Sequence, residues 1–323
     1  MKAWVHTFAA WFLVFAGAMA VTLLTTPFYG DLTRIGQLSE DDYGWQAEQP
    51  QTDPTLLRGV AVDQADVLVI GDSFSVNLIW QAQLVKAGHR VATLHWDETG
   101  PLCDDLTDWL RAIGWSGRWL IIQSVERELA GRLQSSLSCH LTRRFTPHTA
   151  RSLPPPPTSP PARQLNWRGN LTTGLRTWWN TRKARHDPAQ RVFEEQVRVA
   201  PVPDGCRRFS HRACGKAPFF AVDLERPALT PETAQQMEAF GRRLPGARIV
   251  WLVVPNKSSV YLEPGRSGAF GAALQQSRTG PDLFEQLTRM SATTQDLYLA
   301  NDTHLSPQGF SRLGAIVADW TSP

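Results

Sequence analysis

The hydrophobic positions of the chain follow two periods that alternate along much of its length. Short apolar runs, too short for helices and bounded by glycine or polar residues, predict buried strands at residues 67–70, 91–94, 119–123 and 247–254. Apolar residues at helical spacing predict helices at residues 74–87, 105–113 and 310–320. This strand, helix, strand rhythm is typical of a parallel sheet with helices on both faces, so we expect an α/β fold.

The most apolar stretch lies at the N-terminus. Residues 5–24 carry no charged side chain, and twenty such residues are enough to cross a bilayer as a helix. A cleaved signal peptide is the rival interpretation, because Ala16-Gly17-Ala18-Met19-Ala20 offers small residues for cleavage. We favour an uncleaved, single-pass anchor in the inner membrane, which leaves the rest of the chain in the periplasm.

The cysteines fit an exported chain. There are four, an even number, and disulfides form in oxidising compartments. Cys206 and Cys214 are close enough in sequence for a local bridge, and Cys103 with Cys139 is a candidate second one, although spacing does not decide the connectivity. The cysteines and His211 lack the paired short spacings of zinc ligands, so no metal site is expected, and no cofactor is predicted.

Positive charge is concentrated in one segment. Residues 141–216 hold fifteen lysines and arginines against four acidic residues, whereas the whole chain has a formal net charge of +3. The segment includes a proline-rich stretch at 154–161 and the pair Trp178-Trp179 between Arg176 and Arg182. It is either a solvated loop or an electropositive surface for anionic polysaccharide or phospholipid headgroups. Nucleic acid is not an expected partner, because an exported chain would rarely meet it.

These patterns divide the chain into four kinds of segment. Residues 1–29 are the predicted membrane anchor, and residues 30–64 read as a polar periplasmic arm without a clear period. Residues 65–140 and 217–323 form the predicted α/β domain, which the basic, proline-rich insertion 141–216 interrupts.

The candidate chemistry begins at the first strand. Ser73 follows the apolar run 67–70, which places it at the carboxyl edge of the predicted sheet, and the helix expected at 74–87 would put it at a helix N-terminus. A serine hydroxyl needs a base to become a good nucleophile, and that base needs a third group to orient it. Asp302 and His304, in a polar loop before the last predicted helix, could supply both if this loop reaches the same sheet edge.

Two motifs carry a family resemblance. Gly71-Asp72-Ser73-Phe74 together with Asp302-Thr303-His304 resembles the SGNH (GDSL-type) hydrolase superfamily, and more narrowly the AlgJ- and AlgX-like alginate O-acetyltransferase group. Residues 30–36, 124–128 and 254–261 add further matches. The resemblance implies a flavodoxin-like parallel sheet, with Ser73 as the nucleophile, His304 as the base and Asp302 as the residue that orients it.

The chain departs from the general hydrolase pattern in two places. One residue separates Asp302 from His304, which is the spacing of the acetyltransferases. The Gly-x-Asn-Asp block that donates an oxyanion-hole asparagine is absent, and residues 123–127 stand in its place. The candidates for oxyanion or substrate contacts, besides the Ser73 backbone N–H, are Gly100, Arg127, Asn256 and Lys257.

The resemblance implies O-acetyl transfer to an exported polysaccharide through an acyl-serine. The expected partners are the polysaccharide acceptor and a multi-pass membrane protein that supplies the acyl group across the membrane. A periplasmic carbohydrate esterase (deacetylase) with the same three residues is one alternative. A scaffold protein of an exopolysaccharide machine, in which Ser73 is vestigial, is the other.

Overall fold

The computed structural model describes residues 2–141, 152–188, 190–244 and 246–322. The chain forms two compact units, and each is assembled from segments that are distant in sequence. The first unit comprises Met1–Glu48, Ser159–Glu225 and Thr294–Thr303, and the second comprises Gln49–Thr158, Arg226–Thr293 and His304–Pro323. Residues 142–151 of the predicted insertion lie outside the described residues.

The regular elements are numbered in chain order. The helices are α1 (Lys2–Leu24), α2 (Asp31–Gly36), α3 (Glu40–Tyr43), α4 (Gln81–Lys86), α5 (Trp96–Thr99), α6 (Leu106–Ala112), α7 (Glu126–Leu137), α8 (Thr173–His186), α9 (Gly205–Arg208), α10 (Val222–Glu225), α11 (Pro231–Gly241), α12 (Lys257–Tyr261), α13 (Gly268–Gln276), α14 (Leu283–Ser291) and α15 (Pro307–Thr321). The strands are β1 (Val67–Gly71), β2 (Val91–His95), β3 (Trp119–Val125), β4 (Val192–Phe193), β5 (Val197–Pro201), β6 (Lys216–Phe220) and β7 (Arg248–Val254).

A four-stranded parallel sheet forms the centre of the second unit. Its strand order is β2-β1-β3-β7, and all three pairings are parallel. This is the order of the first four strands in the flavodoxin-like, doubly wound arrangement. The α/β fold with a parallel sheet, predicted from the alternating periods, is therefore confirmed.

Both faces of this sheet are buried, as continuous apolar runs require. Every residue of β1 and β3 is buried. On one face Leu68, Ile70 and Ile122 join a core with side chains of the flanking helices, such as Trp109 of α6, Leu129 of α7 and Phe240 of α11. Each fully buried aliphatic side chain of this kind stabilises the fold by roughly 1.5–3 kcal/mol.

The helix predicted at 74–87 is wrong over its first half. Only Gln81–Lys86 is helical, and Ser73 lies in a run of turns rather than at a helix N-terminus. Side chains compete for the backbone here: Asp72 Oδ1 accepts the Phe74 N–H at 3.0 Å, and Asn77 Oδ1 accepts the Ile79 N–H at 3.1 Å. Leu78 has φ 59°, which interrupts a right-handed helix.

The first unit combines helices with a small antiparallel sheet in the order β4-β5-β6. Its core packs Leu32 and Leu38 against Phe193 and Val197. Parts of the predicted arm and the predicted insertion are thus regular structure: α2 and α3 come from residues 30–64, and α8, β4 and β5 come from residues 141–216.

Helix α1 is the predicted apolar segment. It runs over 23 residues, and its length and composition are sufficient to cross a membrane. Most of its side chains are exposed, whereas Thr22 in its last turn is buried. The prediction of one N-terminal apolar helix is confirmed.

The four cysteines form two bonds. In the structure Cys206 is bonded to Cys214 within the first unit, and Cys103 is bonded to Cys139 within the second.

Candidate active site

Ser73 and His304 meet in the second unit although they are 231 positions apart in sequence. Ser73 Oγ lies 2.8 Å from His304 Nε2, which is hydrogen-bonding distance. Ser73 is exposed in the turn after β1, and His304 is half-buried just before α15. The Ser306 side chain caps α15 by accepting the Gly309 N–H at 3.1 Å. The hydroxyl and the imidazole are thus close enough for a proton to pass between them.

The pair lies where the connections of the sheet change direction. From β1 the chain adds β2 on one side, and β3 then returns to the other side of β1. Ser73 follows β1, and residues at the end of β3 reach the same turn. Ligands of open α/β sheets bind at such a switch point, outside the carboxyl ends of the strands.

The carboxylate of Asp72 fixes the turn that carries Ser73. Its Oδ1 accepts the Phe74 N–H, and its Oδ2 accepts the Val125 N–H at 2.8 Å and the Arg132 guanidinium at 2.7 Å. Burial raises the pKa of Asp72, but the Arg132 charge and these hydrogen bonds outweigh it and hold the pKa below its usual range. Asp72 therefore stays ionised and ties the turn that carries Ser73 to the end of β3.

Gln123 supports the same turn from β3. Its Oε1 accepts the Asp72 N–H at 2.8 Å and the Ser75 hydroxyl at 2.8 Å. Gln123 is fully buried, so these bonds form without competition from water. Gln123, the first residue of the segment 123–127, thus holds the turn that carries Ser73.

Phe74 lies against the imidazole ring of His304. Its ring centroid is 4.7 Å from that of His304 and 6.0 Å from that of Phe310. Phe74 is fully buried, so its ring is a fixed surface that limits the orientations of the imidazole.

The four oxyanion and substrate candidates follow three different strands at the carboxyl edge of the sheet. Gly100 ends α5 with φ 66°, and its N–H already donates to the Trp96 carbonyl at 2.8 Å. As an oxyanion donor it would have to give up that bond. The Arg127 N–H donates to Asn256 Oδ1 at 3.3 Å. The structure thus links two of the candidates to each other.

Asn256 and Lys257 are buried behind the surface. Only 2% of Asn256 and 1% of Lys257 is exposed, and the Asn256 N–H donates to Glu126 Oε2 at 2.9 Å. Glu126 also accepts the hydroxyls of Ser259 and Ser267 at 2.5 and 2.6 Å. These contacts join the ends of β3 and β7, which favours a structural part for Asn256 in this conformation.

Asp302 belongs to the first unit. Its Oδ2 accepts the Asp31 N–H at 3.2 Å, while the Asp31 carboxylate accepts the Thr303 N–H at 2.9 Å and the Thr303 hydroxyl at 2.6 Å. The Leu32 N–H donates to the Asn301 carbonyl at 3.0 Å. The start of α2 therefore holds the loop that carries Asp302, and the part of Asp302 in orienting His304 stays a prediction.

Glu40 accepts hydrogen bonds that hold this loop in place. It is buried and accepts the Tyr29 N–H at 2.8 Å, the Gly30 N–H at 2.9 Å and the Asn301 side-chain amide at 2.8 Å. The Thr33 hydroxyl also donates to it. Burial outweighs these hydrogen bonds and raises the pKa of Glu40 to about 7.

Sequence reasoning missed Gln123, Arg132 and Phe74 as residues that build the site. Gln123 carried a signal, because it is a polar residue inside the otherwise apolar strand 119–123. Arg132 carried none: it is one of 33 basic residues, and its partner Asp72 lies 60 positions away.

No family model, no curated protein and no solved structure matches this chain. The resemblance to the SGNH hydrolases therefore stays an expectation that rests on the quoted motifs.

Proposed function

We propose that this chain catalyses acyl transfer through an acyl-serine, with Ser73 as the nucleophile and His304 as the base. The observation that carries the proposal is the 2.8 Å distance between Ser73 Oγ and His304 Nε2. Two supporting features are the fixed turn that presents Ser73 and the position of this turn at the switch point of a parallel sheet.

The first half-reaction breaks the ester bond of the donor. His304 Nε2 takes the Ser73 proton as Oγ bonds to the acyl carbon, and the leaving alcohol then receives that proton from the imidazolium. In the second half-reaction His304 deprotonates the acceptor hydroxyl as its oxygen bonds to the acyl carbon. The bond from that carbon to Ser73 Oγ then breaks, and the imidazolium returns the proton to Oγ. Asp302, two residues before His304 in the chain, is the residue we expect to orient the imidazole.

The substrate proposed is an exported polysaccharide that receives an acetyl group. This choice follows from the resemblance and from α1, which would anchor the chain in the inner membrane with the catalytic unit in the periplasm. An acetyl donor would then have to come across the membrane, so we propose a multi-pass membrane protein as the acyl-supplying partner. Ser73 is exposed, which suits an acceptor as large as a polymer, because a bound polymer can itself shield the site from water.

The same exposure favours a second candidate, a carbohydrate esterase. Water reaches an exposed acyl-serine readily, and transfer competes with hydrolysis unless the acceptor excludes water. Esterase and transferase share every residue named above, so only the acceptor separates them.

The test uses the full chain in detergent micelles with a fluorophosphonate probe, an activated acetyl ester and an anionic polysaccharide. We expect the probe to label Ser73, and both labelling and acetyl transfer to be lost in Ser73→Ala and His304→Ala. Ser135→Ala is the matched control, because Ser135 is also an exposed serine of the second unit, on α7.

Each product supports one of the two proposed enzyme functions. Acetylated polysaccharide that depends on Ser73 supports the transferase, and free acetate alone that depends on Ser73 supports the esterase. If neither labelling nor product depends on Ser73, both enzyme hypotheses are wrong and the scaffold hypothesis replaces them.

A further inference from the structure

Helix α8 differs from an ordinary surface helix because its polar side is buried and its apolar side is exposed. The residues on its inner side are small or polar: Thr173, Gly174, Thr177, Asn180, Thr181 and Ala184 are buried. Its outer side carries Leu175, Trp178 and Trp179, which are 48%, 57% and 51% exposed. A soluble helix buries its apolar stripe and exposes its polar one, so the outer side needs an apolar environment that the described residues do not supply.

The outer residues form one stripe with basic groups at its end. Positions 175, 178, 179 and 182 have the spacing of a single helix face, and Arg182 and Lys183 follow the two tryptophans. The Arg182 guanidinium lies 5.8 Å from the Trp178 ring, and the Lys183 ammonium lies 4.8 Å from the Trp179 ring. Aromatic rings beside arginine and lysine are typical of the membrane interface, where rings sit at headgroup depth and cations meet lipid phosphates.

The inner side of α8 is held by specific polar contacts, so its orientation is fixed. Asn180 Nδ2 donates to the Gly36 carbonyl at 3.1 Å, and Thr181 Oγ accepts the Ser39 N–H at 2.8 Å. Rotation of the helix to hide the tryptophans would break these bonds.

The start of α8 is locked to the end of α1. Thr22 Oγ accepts the Gly174 N–H at 3.0 Å and donates to the Asn170 carbonyl at 3.2 Å, and the Asn166 N–H donates to the Leu23 carbonyl at 3.0 Å. A Cβ on Gly174 would lie 2.7 Å from the Thr22 backbone nitrogen, so only glycine allows this approach.

One surface continues from α1 onto the outer stripe. Val21 and Leu24 of α1 line a cleft of about 460 Å³ together with Trp178 and Arg182 of α8. Asp41 and Asp42 line it too, and they pair with Arg163 at 3.4 Å and Arg185 at 2.9 Å. Where α1 leaves the membrane, the stripe is therefore beside it.

We propose that the outer stripe of α8 lies in the headgroup region of the bilayer that α1 crosses, with Trp178 and Trp179 at the acyl boundary and Arg182 and Lys183 at lipid phosphates. This proposal rests on the membrane anchoring by α1. An interfacial helix held rigidly to the anchor would fix the depth and tilt of the first unit at the membrane surface.

The test places a bimane label on single cysteines introduced into the full chain, which has no free cysteine among its described residues. The chain is incorporated into nanodiscs of phosphatidylcholine and phosphatidylglycerol, with and without doxyl lipid. The doxyl quencher is near the headgroup end of the acyl chain for the labels at 175 and 192, and near the terminal methyl for the label at 14, which lies in the middle of α1. Leu175→Cys reports the stripe, and Val14→Cys reports insertion of α1. Val192→Cys is the matched control, because Val192 is an apolar residue of the first unit with 42% exposure.

We expect doxyl lipid to quench the labels at 14 and 175 but not the label at 192. Trp178→Ala/Trp179→Ala in the Leu175→Cys background should reduce the quenching at 175. Quenching at 14 with none at 175 would overturn this inference and leave the anchor standing, whereas no quenching at 14 would overturn both. A label at 175 that responds to a soluble anionic polysaccharide, and not to doxyl lipid, would assign the stripe to the polymer and overturn the membrane proposal.

Discussion

Arg132 donates a hydrogen bond of 2.7 Å to the buried carboxylate of Asp72, the residue directly before the proposed nucleophile. The same guanidinium nitrogen donates to Ser124 Oγ at 2.8 Å, and the guanidinium lies 5.3 Å from the Trp96 ring. This pair ties helix α7 to the turn after β1, so the geometry of the candidate site depends on a charge that does not belong to Ser73 or His304.

Arg132→Met tests this dependence. Removal of one partner leaves the other charge buried, so we expect the free energy of unfolding to fall by about 3 kcal/mol near neutral pH. Urea denaturation of the full chain in detergent micelles measures it. Arg111→Met is the control, because the Arg111–Asp108 pair is exposed and should contribute little.

The pH dependence of that loss gives its cause. In the wild type the pKa of Asp72 is lowered, so its stabilising contribution is present above its unfolded pKa and is lost as the pH falls through its lower folded value. Without Arg132, burial raises the pKa of Asp72. Protonation of Asp72 then removes the unpaired buried charge that destabilises the variant. The deficit of Arg132→Met should therefore shrink between about pH 7 and about pH 5. A deficit that does not change with pH would show that packing, not charge, causes the loss.

Phe74→Leu tests whether the ring positions His304. The change leaves a buried apolar side chain, so we expect a stability loss of about 1 kcal/mol. Labelling of Ser73 by the fluorophosphonate should slow by about tenfold or more, because the imidazole loses the surface against which it lies. Phe310→Leu is the control, since Phe310 contacts Phe74. Equal labelling rates in the two variants would contradict a positioning part for Phe74.

Glu40→Gln tests the buried carboxyl beneath the Asp302 loop. Its pKa is raised from 4.5 to about 7, so its stabilising contribution is complete below the unfolded pKa and is lost as the pH rises through the folded value. We expect the wild type to lose up to about 3 kcal/mol between about pH 4.5 and pH 7. The glutamine variant should lack this loss.

The Glu40→Gln variant can keep a hydrogen bond to Asn301, and an exposed glutamate provides a control. Asn301 Oδ1 is buried and has no hydrogen-bond partner among the described residues, so a rotated Asn301 amide can accept a bond from a glutamine at position 40. Glu48→Gln is the control, because Glu48 is an exposed glutamate of the same unit. A wild type whose stability does not decrease over this pH range would contradict the raised pKa.

The two disulfides should differ in what they contribute. Cys103 and Cys139 are 36 residues apart, and Cys206 and Cys214 are 8 residues apart. Because a longer closed loop restricts the unfolded chain more, Cys103→Ser/Cys139→Ser should lose about 4 kcal/mol and Cys206→Ser/Cys214→Ser about 2.5 kcal/mol. Urea denaturation with and without reductant measures both, and the wild type in reductant is the reference. A larger loss for the shorter loop would contradict the loop-length explanation.

Local patterns determined the parallel sheet and the N-terminal apolar helix. The strands β1, β2, β3 and β7 were predicted within two residues of their observed ends, because a buried parallel strand shows itself as an apolar run in its own sequence. Helix α1 was predicted for the same reason. The sequence alone could predict that Ser73 and His304 meet, since parallel strands bring their carboxyl ends to one edge of the sheet.

Only the tertiary structure decided which polar groups meet. Asp72 takes its partners from Val125 and Arg132, and the Asn301 loop takes its partners from Asp31 and Glu40, so these bonds join positions tens to hundreds of residues apart. Such side chains leave no periodic trace, because a hydrogen bond depends on the meeting of two surfaces and not on local spacing. The turn at 74–80 has the same origin, because contacts made by the folded chain override the helical periodicity that its sequence displays. The tryptophans of α8 keep a helical spacing, and the tertiary hydrogen bonds of Asn180 and Thr181 decide that they face outward.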